Sequence, residues 1–159
     1  MAVMLARDRL LEGYGLVSDA APLTSVVLPL LEAHCEVHAM RDPTRGGVAA
    51  ALNEIARQAQ VCIEIEEALA PVRPWVAAAC EALGLEPLQV ANEGKMLIIV
   101  APKDAERALE LVRRSPYGQE ACIIGKVAAA PAGRVHLRTR IGTTRRLEPP
   151  SGDLLPRIC

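Results

Sequence analysis

Apolar residues recur at helical spacing in four segments of the chain, at intervals of three and four residues. The clearest segment has apolar side chains at Val48, Ala51, Leu52, Ile55, Ala56 and Ala59. This spacing predicts an amphipathic helix that buries Val48, Leu52 and Ile55 in the core. Three further helices are predicted at residues 22–31, 75–83 and 105–112.

Capping and turn residues indicate where two of these helices begin or end. Ser18 and Asp19 are predicted to cap the first helix, with Pro22 in its first turn. Pro29 should kink or shorten the same helix, because proline cannot donate the helical hydrogen bond. Gly84 is predicted to take the position just after the end of the helix at 75–83.

Five segments have the pattern of β-strands. They are residues 37–40, 61–66, 96–100, 122–128 and 134–141. Apolar and polar residues alternate in 61–66 and 134–141, whereas the continuous apolar runs in 96–100 and 122–128 predict buried strands. Helices alternate with strands along most of the chain, and strands follow one another at its end. This order predicts an α/β (α+β) domain, with a mixed β-sheet covered by helices in two or three layers.

The 159 residues suit one domain with short extensions at both ends. We expect residues 1–17 to form an irregular lead-in and residues 18–148 to form the domain. Residues 149–159 are predicted to be a flexible tail, because four residues in it oppose regular structure. They are Pro149, Pro150, Gly152 and Pro156.

Composition narrows the possible partners and compartments. A net charge of −1 argues against generic polyanion binding, and the lack of Phe, with one Trp and two Tyr, disfavours stacking on nucleic-acid bases. Five cysteines without a C-x-x-C pair fit a reduced interior better than a secreted disulfide framework. No apolar run approaches the ~20 residues of a membrane span, and no signal peptide is evident. We therefore expect a cytoplasmic protein that binds neither nucleic acid nor membrane.

The first candidate site is residues 41–47, with the sequence Arg-Asp-Pro-Thr-Arg-Gly-Gly. Adjacent glycines allow the backbone to approach a ligand closely, and the N–H groups of the helix that follows favour an anion. Thr44 can cap that helix, and Arg41 and Arg45 can reach a phosphate or carboxylate. The alternative is an ordinary helix entry in which Pro43 ends the strand, Thr44 caps and the glycines allow close packing. The spacing matches neither a P-loop nor G-x-G-x-x-G.

The second candidate site is residues 92–95, with the sequence Asn-Glu-Gly-Lys, just before the apolar strand at 96–100. A carboxylate at the mouth of a buried strand can act as a general base, which indicates Glu93. The alternative is a reverse turn with two exposed charges, since Asn and Gly are common turn residues.

The third candidate is the thiol of Cys159, at the end of the predicted tail. A thiolate is a strong nucleophile at neutral pH, and an extended arm can carry it into a distant pocket. The alternative is a residue without a role. His34, Cys35 and His38 lack a fourth ligand at metal-site spacing, so no metal site is predicted.

Several segments together resemble one family of proteins. They are Ala2–Arg7, Ser18–Leu23, Met40–Val48, Ala91–Lys95 and Pro156–Cys159. The chain resembles the C-terminal part of HypE, the hydrogenase expression/formation family that matures [NiFe] hydrogenases. HypE belongs to a superfamily with aminoimidazole ribonucleotide synthetase, selenophosphate synthetase and thiamine-monophosphate kinase. Most of these motifs occur across the superfamily, and Pro156–Cys159 indicates HypE.

The resemblance implies a fold like the C-terminal domain of aminoimidazole ribonucleotide synthetase, and a defined reaction. A HypF-type carbamoyltransferase would place a carbamoyl group on Cys159, and ATP would phosphorylate the carboxamide oxygen. Loss of phosphate would leave a thiocyanate, whose cyanide passes to iron on a HypC–HypD-type complex. Glu93 would be the base that removes amide protons. The residues implied to line the cleft near the nucleotide phosphates are Asp42, Thr44, Arg45, Gly46, Gly47 and Asn92.

The sequence lacks the family's N-terminal ATP-binding domain. ATP and Mg are therefore expected to bind mainly through that missing domain in the full-length context, and not to this chain alone. The resemblance implies an ATP-dependent enzyme at full length, and a chain that is inactive by itself. Two alternatives stay open, which are a non-catalytic docking module and a paralogue of the selenophosphate or aminoimidazole ribonucleotide synthetases.

Overall fold

The structure is a computed structural model that describes residues 19–151. Its helices are α1 (Thr24–Glu32), α2 (Gly47–Ala59), α3 (Pro74–Leu83) and α4 (Ala105–Arg113). Its strands are β1 (Val37–Arg41), β2 (Cys62–Glu66), β3 (Leu97–Val100), β4 (Gly125–Ala128), β5 (Arg134–Arg138) and β6 (Thr144–Arg146). Short 3₁₀ turns lie at Pro87–Gln89 and Pro102–Asp104. In the described range no helix is both long and apolar enough to cross a membrane.

The strands form one mixed sheet of four strands and one ribbon of two. The order in the larger sheet is β4-β2-β5-β6, in which β2 runs parallel to β5 and antiparallel to β4. The ribbon pairs β1 with β3 antiparallel, with Arg41 opposite Leu97. Helices and a mixed sheet in one domain confirm the predicted fold class.

The larger core lies between α2 and the four-stranded sheet. Every second side chain of β2 and β5 is buried in this core. These residues are Ile63 and Ile65 in β2, and Val135 and Leu137 in β5. Leu147, just after β6, is fully buried in the same core. Period-2 alternation in β2 and β5 thus supplies one apolar face for α2.

The smaller core lies between α1 and α4. It contains Val26, Leu30, Cys35, Ala108 and Val112. The β1–β3 ribbon contributes to both cores, because Leu97 and Ile99 pack on the larger one while Ile98 and Val100 pack on the smaller one. A strand whose successive side chains face two helical layers has no polar face, which explains the uninterrupted apolar run in β3.

The buried face of α2 is rotated from the predicted one. Leu52 is buried as expected, but Val48 and Ile55 are only half-buried, at the margin of the core. Ala49 is fully buried instead, because its small side chain allows the helix to lie close to the sheet. Asn53 is also buried, and its amide donates hydrogen bonds of 2.8 Å to the carbonyl oxygens of Ala49 and Leu147.

The predicted start of the first helix is wrong. Helix α1 begins at Thr24, with Leu23 at the N-cap and no capping side chain. The carboxylate of Asp19 is instead hydrogen-bonded to the backbone of Glu93. Ser18 lies outside the described residues, and Pro29 lies within the helix. Gly84 does follow α3 with a φ of +65°, as predicted.

Two strand predictions need correction. The segment 122–128 is a strand only over Gly125–Ala128, at the edge of the sheet, where Lys126 and Val127 are exposed. The segment 134–141 is a strand only to Arg138, because residues 139–143 form a turn before β6. Every residue of β6 is exposed, so its sequence has no apolar alternation from which a strand could be predicted. The strand is defined by its pairing with β5.

Candidate functional site

The two candidate turns meet in the structure. The backbone N–H of Asn92 donates a hydrogen bond of 3.0 Å to the carbonyl oxygen of Pro43. The register of the β1–β3 ribbon explains this, because Arg41 at the end of β1 lies opposite Leu97 at the start of β3. The turn that leaves β1 and the turn that enters β3 therefore lie at the same end of the ribbon.

Asn92 organises the turn at 92–95. Its side-chain amide donates to the carbonyl oxygen of Val90 at 2.7 Å. Its side-chain oxygen accepts a hydrogen bond from the ammonium of Lys95 at 2.6 Å. Both ends of the Asn92 amide are therefore used to hold this turn in shape.

Glu93 has a fixed backbone and an open side chain. Its N–H donates to the carboxylate of Asp19 at 3.2 Å. Its own carboxylate is exposed, and no partner for it is found in residues 19–151. A held backbone with an unoccupied carboxylate is the arrangement a general base needs before its substrate arrives.

Lys95 carries the one clearly perturbed titration in this turn. Although the residue as a whole is exposed, protein atoms surround its ammonium group and partly desolvate it, which lowers the pKa of Lys95. The charge of Arg73 acts in the same direction, and the charges of Asp19 and Glu120 act against it.

The glycines at the start of α2 are required by packing. Gly46 and Gly47 have left-handed φ values of +71° and +60°, and Gly46 is the N-cap. A Cβ on Gly47 would lie 2.5 Å from the carbonyl oxygen of Val90. The predicted cap by Thr44 is wrong, because the N-cap is Gly46, which has no side chain, and Thr44 contributes only its carbonyl oxygen, which accepts the N–H of Gly47 at 3.0 Å.

The charged groups of the turn at 41–47 differ in availability. Arg41 forms an ion pair of 2.8 Å with Glu54, in the middle of α2. Asp42 and Arg45 are exposed, and neither has an ion-pair partner in the part of the chain that the structure describes. Arg45 is therefore the arginine of this turn that remains available to an anion.

The base of the predicted tail is anchored beside the same turns. The N–H of Leu147 donates to the carbonyl oxygen of Val135 at 2.9 Å, and the amide of Gln89 donates to the Glu148 carbonyl oxygen at 3.0 Å. The ring of Pro150 lies against Gly46, where an added Cβ would be 3.1 Å from it. Cys159 and the rest of the tail beyond Ser151 lie outside the described residues, as does the predicted lead-in at 1–17.

The remaining cysteines do not form a reactive site. Cys62 and Cys80 are buried, Cys122 is half-buried, and desolvation raises the pKa of all three thiols. They are therefore protonated and poorly nucleophilic near neutral pH. Cys35 is buried in the smaller core, and no group of three or more metal-ligating side chains occurs within residues 19–151.

Sequence reasoning missed two participants in this site. Asp19 has the appearance of a helix cap, and its real partner lies 74 residues away at Glu93. Pro150 reads only as a breaker of regular structure. No local pattern predicts either contact, because both depend on how the ribbon and β6 are placed against α2.

The two turns lie within a domain that matches a known family. The family described as AIR synthase related protein, C-terminal domain, matches residues 1–138, and the chain belongs to that family. A likeness to the phosphoribosylformylglycinamidine synthase PurL of T. maritima, at 16% identity and a TM-score of 0.55, reflects the shared fold.

Within the family the similarity is to HypE, as the sequence motifs indicated. The carbamoyl dehydratase HypE of Rhizobium leguminosarum bv. viciae is 46% identical over 160 residues, which cover 100% of this chain and 46% of that protein. A crystal structure of the hydrogenase maturation protein HypE in complex with ATP has a TM-score of 0.90 at 40% identity, and covers 99% of this chain and 48% of its own. A crystal structure of a HypE–HypF complex has a TM-score of 0.86 at 40% identity, and covers 93% of this chain and 48% of its own. The chain spans about half the length of the relatives it matches.

Proposed function

We propose that this chain is the substrate-carrying part of a HypE-type carbamoyl dehydratase. In the full-length context it would support the ATP-dependent dehydration of an S-carbamoyl group on Cys159 to a thiocyanate. The observation that carries the proposal is the convergence of three elements at one place. The turn at 41–47, the turn that bears Glu93 and the anchored base of the tail at Pro150 are linked by direct contacts.

The chemistry assigns Glu93 a defined task. The carboxamide oxygen attacks the γ-phosphorus of ATP, and the bond from that phosphorus to the ADP oxygen breaks. One N–H proton is lost as the O-phosphorylated intermediate forms, and the second is lost when the C–O bond breaks and phosphate departs. Phosphate is a far better leaving group than the amide oxygen, so ATP drives the loss of water. The open carboxylate of Glu93 is the proposed acceptor for these protons.

The contacts of Pro150 with Gly46 and of Asn92 with Pro43 support an arm that starts near the turn bearing Glu93. Residues 152–159 add eight residues beyond Ser151, and each spans at most ~3.3–3.6 Å when extended. The arm is thus able to reach roughly 25 Å from its anchor near Gly46. A closed interdomain cleft around that arm would keep water away from the reactive intermediate.

The residues of this chain fit part of an ATP site. Arg45 is an available cation beside the start of α2, and Asp42, Thr44, Gly46 and Gly47 accompany it in the proposed lining of the phosphate end of the cleft. Within residues 19–151 no group of three or more side chains could hold Mg without the help of the nucleotide phosphates. We therefore assign Mg and most of the nucleotide contacts to an N-terminal ATP-binding part of the kind expected in full-length HypE proteins, and no bound cofactor to this chain alone. Asn92, whose amide is occupied internally, would act by holding the turn.

The proposal also defines partners. A HypF-type carbamoyltransferase would load Cys159, and a HypC–HypD-type complex would receive the cyanide, in the cytoplasm. Crystallisation of a HypE relative with HypF supports the first of these.

A mass measurement tests the proposal. The chain, carbamoylated at Cys159, is mixed with the N-terminal ATP-binding part of a HypE relative, with ATP and Mg. We expect the chain to lose the mass of one water molecule only when ATP is present. Glu93→Gln should abolish this loss, and Cys159→Ala should prevent carbamoylation, whereas Cys122→Ala should do neither. Formation of the complex without any loss of water would refute the dehydratase and favour a docking module.

A further inference from the structure

The segment that enters the domain is fastened to the turn that bears Glu93. The carboxylate of Asp19 accepts the backbone N–H of Glu93 at 3.2 Å. The next residue, Gly94, lies directly against the same segment, because a Cβ on Gly94 would overlap the carbonyl oxygen of Asp19. The side chain and the backbone of Asp19 thus hold two successive residues of the turn.

The opposite side of the turn is held by the β1–β3 ribbon. Asn92 donates through its backbone to Pro43 and through its side chain to Val90. Lys95 in turn donates to the side-chain oxygen of Asn92. Glu93 therefore lies between two fixed points, one provided by Asp19 and one by Asn92.

The charges around the turn favour the contact with Asp19. The Asp19 carboxylate raises the pKa of Lys95 and so stabilises the ammonium against its partial desolvation. A carboxylate that accepts a backbone N–H forms a charge-assisted hydrogen bond, which is stronger than a neutral one.

We propose that Asp19 is a positioning residue for Glu93, which fixes the direction in which the Glu93 carboxylate meets the substrate. This inference rests on the proposed function, because it assumes that Glu93 is the proton acceptor. Asp19 itself touches the backbone of Glu93 and takes no proton. Orientation matters for such a group, since a displacement of ~1 Å can reduce a rate by about 100-fold.

The experiment compares Asp19→Ala with a matched control elsewhere in the fold. Asp104 accepts the backbone N–H of Glu36 at 2.9 Å, at the other end of the β1–β3 ribbon from this turn, so Asp104→Ala removes the same kind of contact. The variants are assayed in the ATP-dependent dehydration of the carbamoylated chain with the N-terminal part of a relative. Hydrogen exchange of the Glu93 amide in the chain gives a second readout.

We expect Asp19→Ala to lower the maximal rate by about 10- to 100-fold, with the KM for ATP changed less than about twofold, and to speed exchange of the Glu93 amide. Asp19→Asn retains an acceptor oxygen and should recover most of the rate. Asp104→Ala should leave the rate unchanged. Gly94→Ala should resemble Asp19→Ala, because its methyl group would push the entering segment away from the turn.

The outcomes separate this inference from the proposed function. If Glu93→Gln abolishes dehydration while Asp19→Ala keeps the normal rate, the positioning role is refuted and the proposed function stands. Equal losses in Asp19→Ala and Asp104→Ala would also refute it, because they would indicate general destabilisation. Dehydration that persists in Glu93→Gln would overturn the proposed function itself.

Discussion

Gly47→Ala tests the close approach of α2 to the backbone at 88–90, which lies next to the turn at 92–95. Gly47 has a φ of +60°, and an added Cβ would lie 2.5 Å from the carbonyl oxygen of Val90 and 2.7 Å from that of Leu88. Neither atom is the end of a flexible side chain, so the backbone itself would have to move. The left-handed conformation costs a non-glycine residue about 1–2 kcal/mol, and overpacking at a fixed site costs about 1–3 kcal/mol.

Gly84→Ala provides the matched control. Gly84 has a similar φ of +65°, but nothing lies within 4 Å of an added Cβ. Its free energy of unfolding should therefore fall only by the conformational part, about 1–2 kcal/mol. Gly47→Ala should lower the free energy of unfolding by about 2–5 kcal/mol. The difference between the two variants measures the close approach of α2 to the 88–90 segment.

Urea denaturation monitored by the fluorescence of Trp75, the only tryptophan, gives both free energies of unfolding. Equal losses in the two variants would show that the backbone contact of Gly47 contributes nothing. Gly47→Ala should also weaken dehydration in the reconstituted enzyme, because it separates the turn at 41–47 from Asn92.

Two further predictions concern stability. Leu147→Ala should lower the free energy of unfolding by about 2–5 kcal/mol, because Leu147 is fully buried beneath α2; a loss below about 1 kcal/mol in urea denaturation would contradict this placement. The lowered pKa of Lys95 means that the unfolded chain binds more protons between that pKa and 10.5, so this residue makes stability rise with pH in that window. The raised pKa values of the buried cysteine thiols make stability fall with pH in the same range. The stability curve is therefore compared with that of Lys95→Met, which keeps the effect of the cysteines and lacks the rise due to Lys95. Parallel stability curves for the two proteins across this range would contradict the desolvation of Lys95.

Local sequence patterns predict a helix or strand of this fold well when one of its faces is buried in a core and the other is exposed. Helix α2 and strand β2 each have a clear period, and both occur within about one residue of the predicted bounds. The edge strand β4 is shorter and more exposed than its apolar sequence suggests. Strand β6 has no apolar pattern at all, and its pairing with β5 is set by the turn at 139–143.

In the candidate site, too, the sequence predicts the local elements and the tertiary structure sets the contacts between them. The sequence indicates both turns, and the structure brings them together through the N–H of Asn92 and the carbonyl oxygen of Pro43. The glycines at 46–47 are suited to close approach, as their sequence suggests, and what they approach is the backbone at 88–90. The role of Cys159 stays a prediction.

By itself the sequence determined the helices, most strands, the mixed layered class and the family, because periodicity and short motifs are encoded within a few neighbouring residues. Only the tertiary structure decided that Asp19 holds Glu93, that Asn92 holds Pro43 and that Pro150 lies on Gly46. These contacts join residues 49 to 104 positions apart in the chain. Their geometry follows from strand register and helix packing, which no local pattern contains.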